Sequence, residues 1–152
     1  MTQEEKDLLL KDLCARLPYG VKVQIDLQSD IYPQITCKVC SIEYAESGSA
    51  FIGVETSPDT YNEFREFLCK PYLFPLSSMT NELWDKEFRG YGITEYTRDS
   101  FKYDCEILDF NDSNIDLSNM VGFINQLIKH HFDVYELIPL GLAIDATGLN
   151  IY

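Results

Sequence analysis

Residues 7–25, DLLLKDLCARLPYGVKVQI, decide the fold of the N-terminal part, because a helix, a stop and a strand follow one another within them. Leu9, Leu10, Leu13 and Leu17 recur at helical spacing, with Leu8 and Cys14 at the margins of the stripe. Lys6, Asp7, Lys11 and Asp12 are left for solvent, which makes the segment amphipathic. Upstream, Thr2 is followed three residues later by Glu5, the capping-box pattern, so the spacing predicts a helix over 3–16. Pro18 cannot continue that helix, and Gly20 supplies a turn position. VKVQIDL (21–27) then alternates strictly. Val21, Val23, Ile25 and Leu27 fall on one face and Lys22, Gln24 and Asp26 on the other, as in a half-buried strand.

Working outward, a second strand is predicted over 34–44, with Ile35, Cys37, Val39 and Ser41 expected on one face. The polar turn 46–49 leads into a third strand at 50–55, giving an antiparallel meander. Ser57-Pro58 reads as a helix cap with proline at the first helical position. Tyr61, Phe64, Phe67 and Leu68 continue at helical spacing, so a short helix is expected over 59–69. KPYLFPLSS (70–78) carries two prolines and is expected to be an irregular, packed connector, and Thr80 opens a short helix in which Leu83, Trp84 and Phe88 share a face, ended by Gly90 and Gly92. Residues 93–97 and 101–108 have strand character. Asp116 precedes a helix over 117–130 carrying Met120, Val121, Ile124, Leu127 and Ile128, and the chain closes with a helical turn at 133–138 and an extended piece at 142–146. The expected fold is a single α+β domain over 1–152. It has an N-terminal helix, an antiparallel sheet of about five strands, open or curled into a barrel-like form, and a C-terminal helix packed on the sheet.

A chain of 152 residues with 45% hydrophobic side chains can bury a core without disulfides or metals. No apolar run approaches the roughly 20 residues of a membrane span. The acidic start TQEEKD is unlike the basic opening of a signal peptide, so a cytoplasmic protein is expected. The net charge is −13, and residues 81–120 hold ten acids against four bases. Such a field repels phosphate backbones, which argues against direct DNA or RNA binding and for a protein partner with a basic surface. Five cysteines, Cys14, Cys37, Cys40, Cys69 and Cys105, follow no framework spacing and suit a reducing compartment as small buried hydrophobes.

Few residues carry a chemical signal. Cys37-Lys-Val-Cys40 is the only CxxC, but on a strand positions i and i+3 point to opposite faces, so the two sulfurs cannot share a metal. His130 and His131 end the predicted C-terminal helix, where an imidazole favours the helix dipole and can cap carbonyls. They are also the only candidates for a general base or a Cys-His hydrolase built with Cys14, Cys69 or Cys105, none of which stands in a nucleophile's sequence context. No phosphate-binding glycine motif occurs, and the acidic loop 109–116 lacks the glycine of a calcium loop. No catalytic residue, metal or cofactor is assigned. A contact surface is expected over 88–104, where Tyr91 and Tyr96 flank an acidic stretch containing Asp99, Asp104 and Glu106, since tyrosines are frequent interface anchors. Arg16 and Lys22, cations in an acidic protein, are candidate ligand contacts.

KDLCARLPYGVKV (11–23), KPYLFPLSSMT (70–80) and HHFDVYELIPLGLAIDA (130–146) together resemble a family of small proteins from Bacteroides-type gut bacteria and their phages and other mobile elements. The resemblance implies an intracellular, bacterial or phage-encoded protein with a link to mobile-element biology, and it brings no catalytic residues. The expected function is that of a non-enzymatic accessory protein binding a protein partner. A small-molecule-sequestering protein that antagonises host defence signalling, and a hydrolase using His130 or His131, are the alternatives.

Overall fold

The computed structural model describes residues 1–27, 34–45, 49–58, 60–91 and 117–152. The chain divides into two compact units, one of Met1–Leu73 with Tyr135–Tyr152 and the other of Phe74–Val134.

The first unit opens with helix α1, Gln3–Arg16, and its capping box is formed as the sequence predicts. The Glu5 N–H donates to Thr2 Oγ1 at 3.2 Å and the Thr2 N–H to Glu5 Oε2 at 2.6 Å, satisfying two otherwise orphaned donors. Leu9, Leu10 and Leu13 are buried, each contributing about 2 kcal/mol of transfer free energy. A single 3₁₀ turn at Leu17–Tyr19 follows, and Gly20 at φ 71° reverses the chain in the left-handed region that suits glycine. Strands β1 (Lys22–Ile25), β2 (Ile35–Tyr44), β3 (Ala50–Ser57), β4 (Thr60–Arg65), β5 (Cys69–Leu73) and β6 (Ile144–Asp145) form one sheet in the order β4-β3-β2-β1-β5-β6. Four pairings are antiparallel, and β6 joins β5 in parallel, so the sheet is mixed, six-stranded and open rather than barrel-like. Val23, Ile25, Cys37, Val39, Ile52 and Val54 point to one side and share a core with the α1 leucines. The alternate positions make up the other face of the sheet.

Several expectations are overturned in this unit. Residues 60–65 are strand β4, and only Glu66–Leu68 forms a turn of 3₁₀ helix, where a helix over 59–69 was expected. Ser57-Pro58 starts a hairpin turn instead of capping a helix, with Asn62 Nδ2 donating to Thr56 Oγ1 at 2.8 Å across it. Helical spacing of Tyr61, Phe64 and Phe67 is outweighed by pairing along the whole length of β3, a long-range gain that local pattern cannot register. The start of the connector expected at 70–78 is regular instead, since Lys70–Leu73 belong to β5, where Pro71 stands opposite Val23 of β1. Asp12 is a further correction. It is fully buried in a pair with Arg16 instead of facing solvent.

In the second unit, Thr80 caps a short helix, α2 (Asn81–Leu83), by accepting from the Leu83 N–H at 3.2 Å. The chain then widens into a π turn, Trp84–Phe88, and tightens into a 3₁₀ turn, Arg89–Tyr91. The wide turn stacks Trp84 on Phe88 with ring centroids 5.9 Å apart, and helix α3, Leu117–Lys129, sets Phe123 edge-on to both at 6.0 and 5.4 Å. Within its unit α3 therefore packs on the aromatic segment 74–91, a partner that its own periodicity does not name. Gly122 is required there, because a Cβ would stand 2.5 Å from a Tyr91 ring carbon. Among the described residues no helix is long and apolar enough to cross a membrane.

Candidate partner-binding surface

The outer face of the sheet takes its shape from a bulge in β2. Val39 pairs with Val54, but the next partner of β3, Gly53, faces Ser41, so Cys40 is the extra residue. The bulge puts Cys40 and Ser41 on the same outer face, and at Gly53 a Cβ would collide with the Ser41 hydroxyl. The glycine leaves a floor without a side chain. Around it Cys40, Ser41, Tyr61, Asn62 and Glu63 border an open depression of about 520 Å³. Tyr61 is 66% exposed, which leaves its ring open to a partner at the border of the depression. Arg65, also on β4, lays its guanidinium over the Phe51 ring at 4.9 Å, so the border of the depression itself carries Glu63 and no base. Among the described residues no strand pairs with the far edge of β4, and Thr60 to Glu63 are all exposed.

A second, smaller depression of about 270 Å³ opens among Gln24, Asp26, Gln34, Lys70 and Ile144. Its neighbour Tyr72 is buried, donates to Gln24 Oε1 at 3.2 Å and lies 3.1 Å from Thr36 Oγ1.

The residues singled out by sequence fall in different places. Arg16 is fully buried, its Nε 2.9 and 2.8 Å from the two Asp12 oxygens and its Nη2 2.7 Å from Oδ1, so it is a structural cation and not a surface contact. Lys22 is half-buried: its Nζ donates to the Ile151 carbonyl, and its backbone N–H donates to Tyr152 Oη at 3.2 Å. Tyr152 in turn donates to the Tyr72 carbonyl at 2.8 Å, and burial pushes its phenol up to about 12. Arg16 is thus enclosed with Asp12, and Lys22 is tied to the C-terminal residues Ile151 and Tyr152. Tyr91 accepts from Gln126 Nε2 at 3.2 Å and packs its ring 6.4 Å from Phe123. Tyr96, Asp99, Asp104 and Glu106 lie outside the described residues, as do Cys105, the strands expected at 93–97 and 101–108, and the loop 109–116.

The histidines have structural duties. The His131 N–H donates to the Ile128 carbonyl and the Phe132 N–H to the Leu127 carbonyl, which ends α3 in a Schellman arrangement with His131 at φ 60°. The His131 carbonyl accepts from the Phe74 N–H at 2.9 Å. His130 packs on Phe88 at 5.9 Å with Nε2 3.5 Å from Glu87 Oε2. Lys86 and then His130 hold the Glu87 carboxyl below its ordinary value. The cysteines divide as strand geometry requires for Cys37 and Cys40, the first buried and the second exposed. Cys69 is buried, and desolvation pushes its thiol to about 12, which removes it as a nucleophile at neutral pH. Cys14 is exposed, against the expectation of a packed thiol. Among the described residues no group of three or more His, Cys, Asp or Glu side chains could hold a metal ion.

The fold and surface define an α+β protein with an open mixed sheet. Compared with protein-family models, characterised proteins and solved structures, the chain matches none.

Proposed function

We propose that this chain is a non-enzymatic accessory protein of bacterial mobile-element or phage type, cytoplasmic, that acts by binding a protein partner with a basic surface. The observation that supports this reading is the outer sheet face at β4, where exposed Tyr61 and Glu63 border a glycine-floored depression without a base. An exposed tyrosine beside a concavity is the kind of anchor on which interface energy concentrates. The acids of 95–116 make the chain as a whole more acidic, which suits a basic partner. Capture from a host lysate with the tagged chain tests the reading. A specific protein should be retained, and Tyr61→Ala together with neutralisation of the 95–116 acids should release it. A lysate that yields nothing specific, or a partner indifferent to both changes, defeats the proposal.

A second reading, a small-ligand-sequestering protein that antagonises host defence signalling, is favoured by the depression at Lys70, whose two amides, one cation and one carboxylate could hold a small polar molecule. Thermal-shift screening against nucleotides and metabolites separates it from the first. A hit abolished by Lys70→Ala supports sequestration, and a blank screen counts against it.

A further inference from the structure

The partner surface includes an edge that can recognise backbone as well as side chains. Among the described residues β4 is the terminal strand on its side of the sheet, and pairing with β3 engages only alternate N–H and C=O groups of its backbone. The remaining groups point outward beside exposed side chains. Natural edge strands are commonly blunted by lysine, proline or inward charges. β4, TYNEFR, has neither lysine nor proline, and its exposed arginine lays its guanidinium over the Phe51 ring. What it presents is Glu63, with Tyr61 two residues away on the same face, roughly 7 Å along the strand.

We infer that β4 accepts an extended, basic segment of the partner as an added strand. Rested on the partner reading above, this names the mode of docking. An added strand lies about 4.8 Å from β4 and sends alternate side chains to the outer face. The one opposite Glu63 meets a carboxylate, and a lysine or arginine there is long enough to reach over β4 toward the Gly53 floor. The neighbouring outward residue meets the Tyr61 ring, which accepts a second cation on its face or an aliphatic chain against it. An acidic segment would be repelled by Glu63 and by the chain's net charge of −13. Backbone pairing supplies affinity, and the alternation supplies selectivity.

The probe is a capped nine-residue peptide of alternating lysine and valine, titrated into the full-length chain with amide chemical shifts as readout. Two controls accompany it: the same peptide N-methylated at every second amide, and its glutamate–valine counterpart. Shifts should concentrate on β4 and β3, and both controls should bind at least about tenfold more weakly. Glu63→Gln should weaken the lysine peptide several-fold, whereas Glu82→Gln, an equal loss of charge on exposed helix α2, should change little. Equal binding by the N-methylated peptide, shifts spread away from β4, or equal effects of Glu63→Gln and Glu82→Gln would each overturn strand addition and leave only diffuse attraction. A partner retained from lysate but indifferent to Glu63→Gln would also sink this inference while leaving the partner reading intact. A lysate without a partner, beside a peptide that binds β4 as described, would do the reverse.

Discussion

The Asp12–Arg16 pair offers the most demanding test of how the first unit is held together. Both side chains are fully buried one helical turn apart, with three hydrogen bonds of 2.7 to 2.9 Å between them. In the dry interior their attraction is strong, but each has given up its hydration, so the pair as a whole contributes little net stability. Removing one member is different, because it takes from a desolvated charge the partner that bonds it most closely. Asp12→Asn or Arg16→Met should each cost about 3–5 kcal/mol, against a total of roughly 5–15 kcal/mol for an ordinary domain. Asp12→Leu combined with Arg16→Met replaces the pair with apolar volume and should fall within about 1 kcal/mol of the parent, or above it. The coupling energy from the four proteins is then several kcal/mol. Trp84, the chain's single tryptophan, belongs to the other unit, so urea unfolding is best followed by far-ultraviolet circular dichroism. Single variants that lose less than about 1 kcal/mol, or a double variant as unstable as the sum of the singles, would refute the account.

Three further outcomes follow from the same structure. In native protein at pH 8, iodoacetamide should modify Cys14 and Cys40 while Cys37 and Cys69 react only after denaturant is added, as peptide mass spectrometry would show; rapid native labelling of Cys69 would contradict its burial. Burial alone would raise the Glu66 carboxyl, but the Lys6 ammonium at 2.7 Å and backbone N–H groups including that of Ala50 at 3.3 Å outweigh it and hold the carboxyl below 4.5. The unfolded chain therefore takes up the proton first as pH falls, so the stability advantage over Glu66→Gln should be whole above pH 4.5 and shrink below it; a difference constant from pH 7 to pH 3 would be inconsistent. Exposed Glu136 sits at φ 57°, a conformation costing an L-residue about 1–2 kcal/mol, so Glu136→Gly should raise stability by about 0.5 kcal/mol after the entropy of glycine is charged against it, and a lowered melting temperature would disprove that origin.

The N-terminal helix and the first meander were legible because their determinants are local. Thr2 with Glu5, the leucine stripe, Pro18 and the 21–27 alternation each act within a few residues, and each appears as expected. Asp12 was misread for the same reason that made the rest readable: a polar residue at the margin of an apolar face is ordinarily solvated, and only Arg16 four residues on reverses that. The spacing was visible, and its burial was not. β4 fails differently. Its side chains satisfy a helical pattern, and what makes them a strand is the free edge of β3, a partner supplied by the tertiary fold.

That distinction also explains why the outer-face depression escaped a sequence reading. Its floor requires Gly53 to stand opposite Ser41, which depends on a one-residue slip at Cys40 that no composition rule announces. Without the bulge Ser41 would turn to the core side and leave Gly53 facing an ordinary strand position. Gly53 and Tyr61 thus belong together only through two pairings, β2 with β3 and β3 with β4, each set by contacts distant in sequence. Aromatic and acidic composition pointed instead to Tyr91, whose hydroxyl and ring are already engaged by Gln126 and Phe123. A tyrosine spent on packing and a tyrosine left for a partner look alike in sequence; only the pairing of β4 separates Tyr61 from Tyr91.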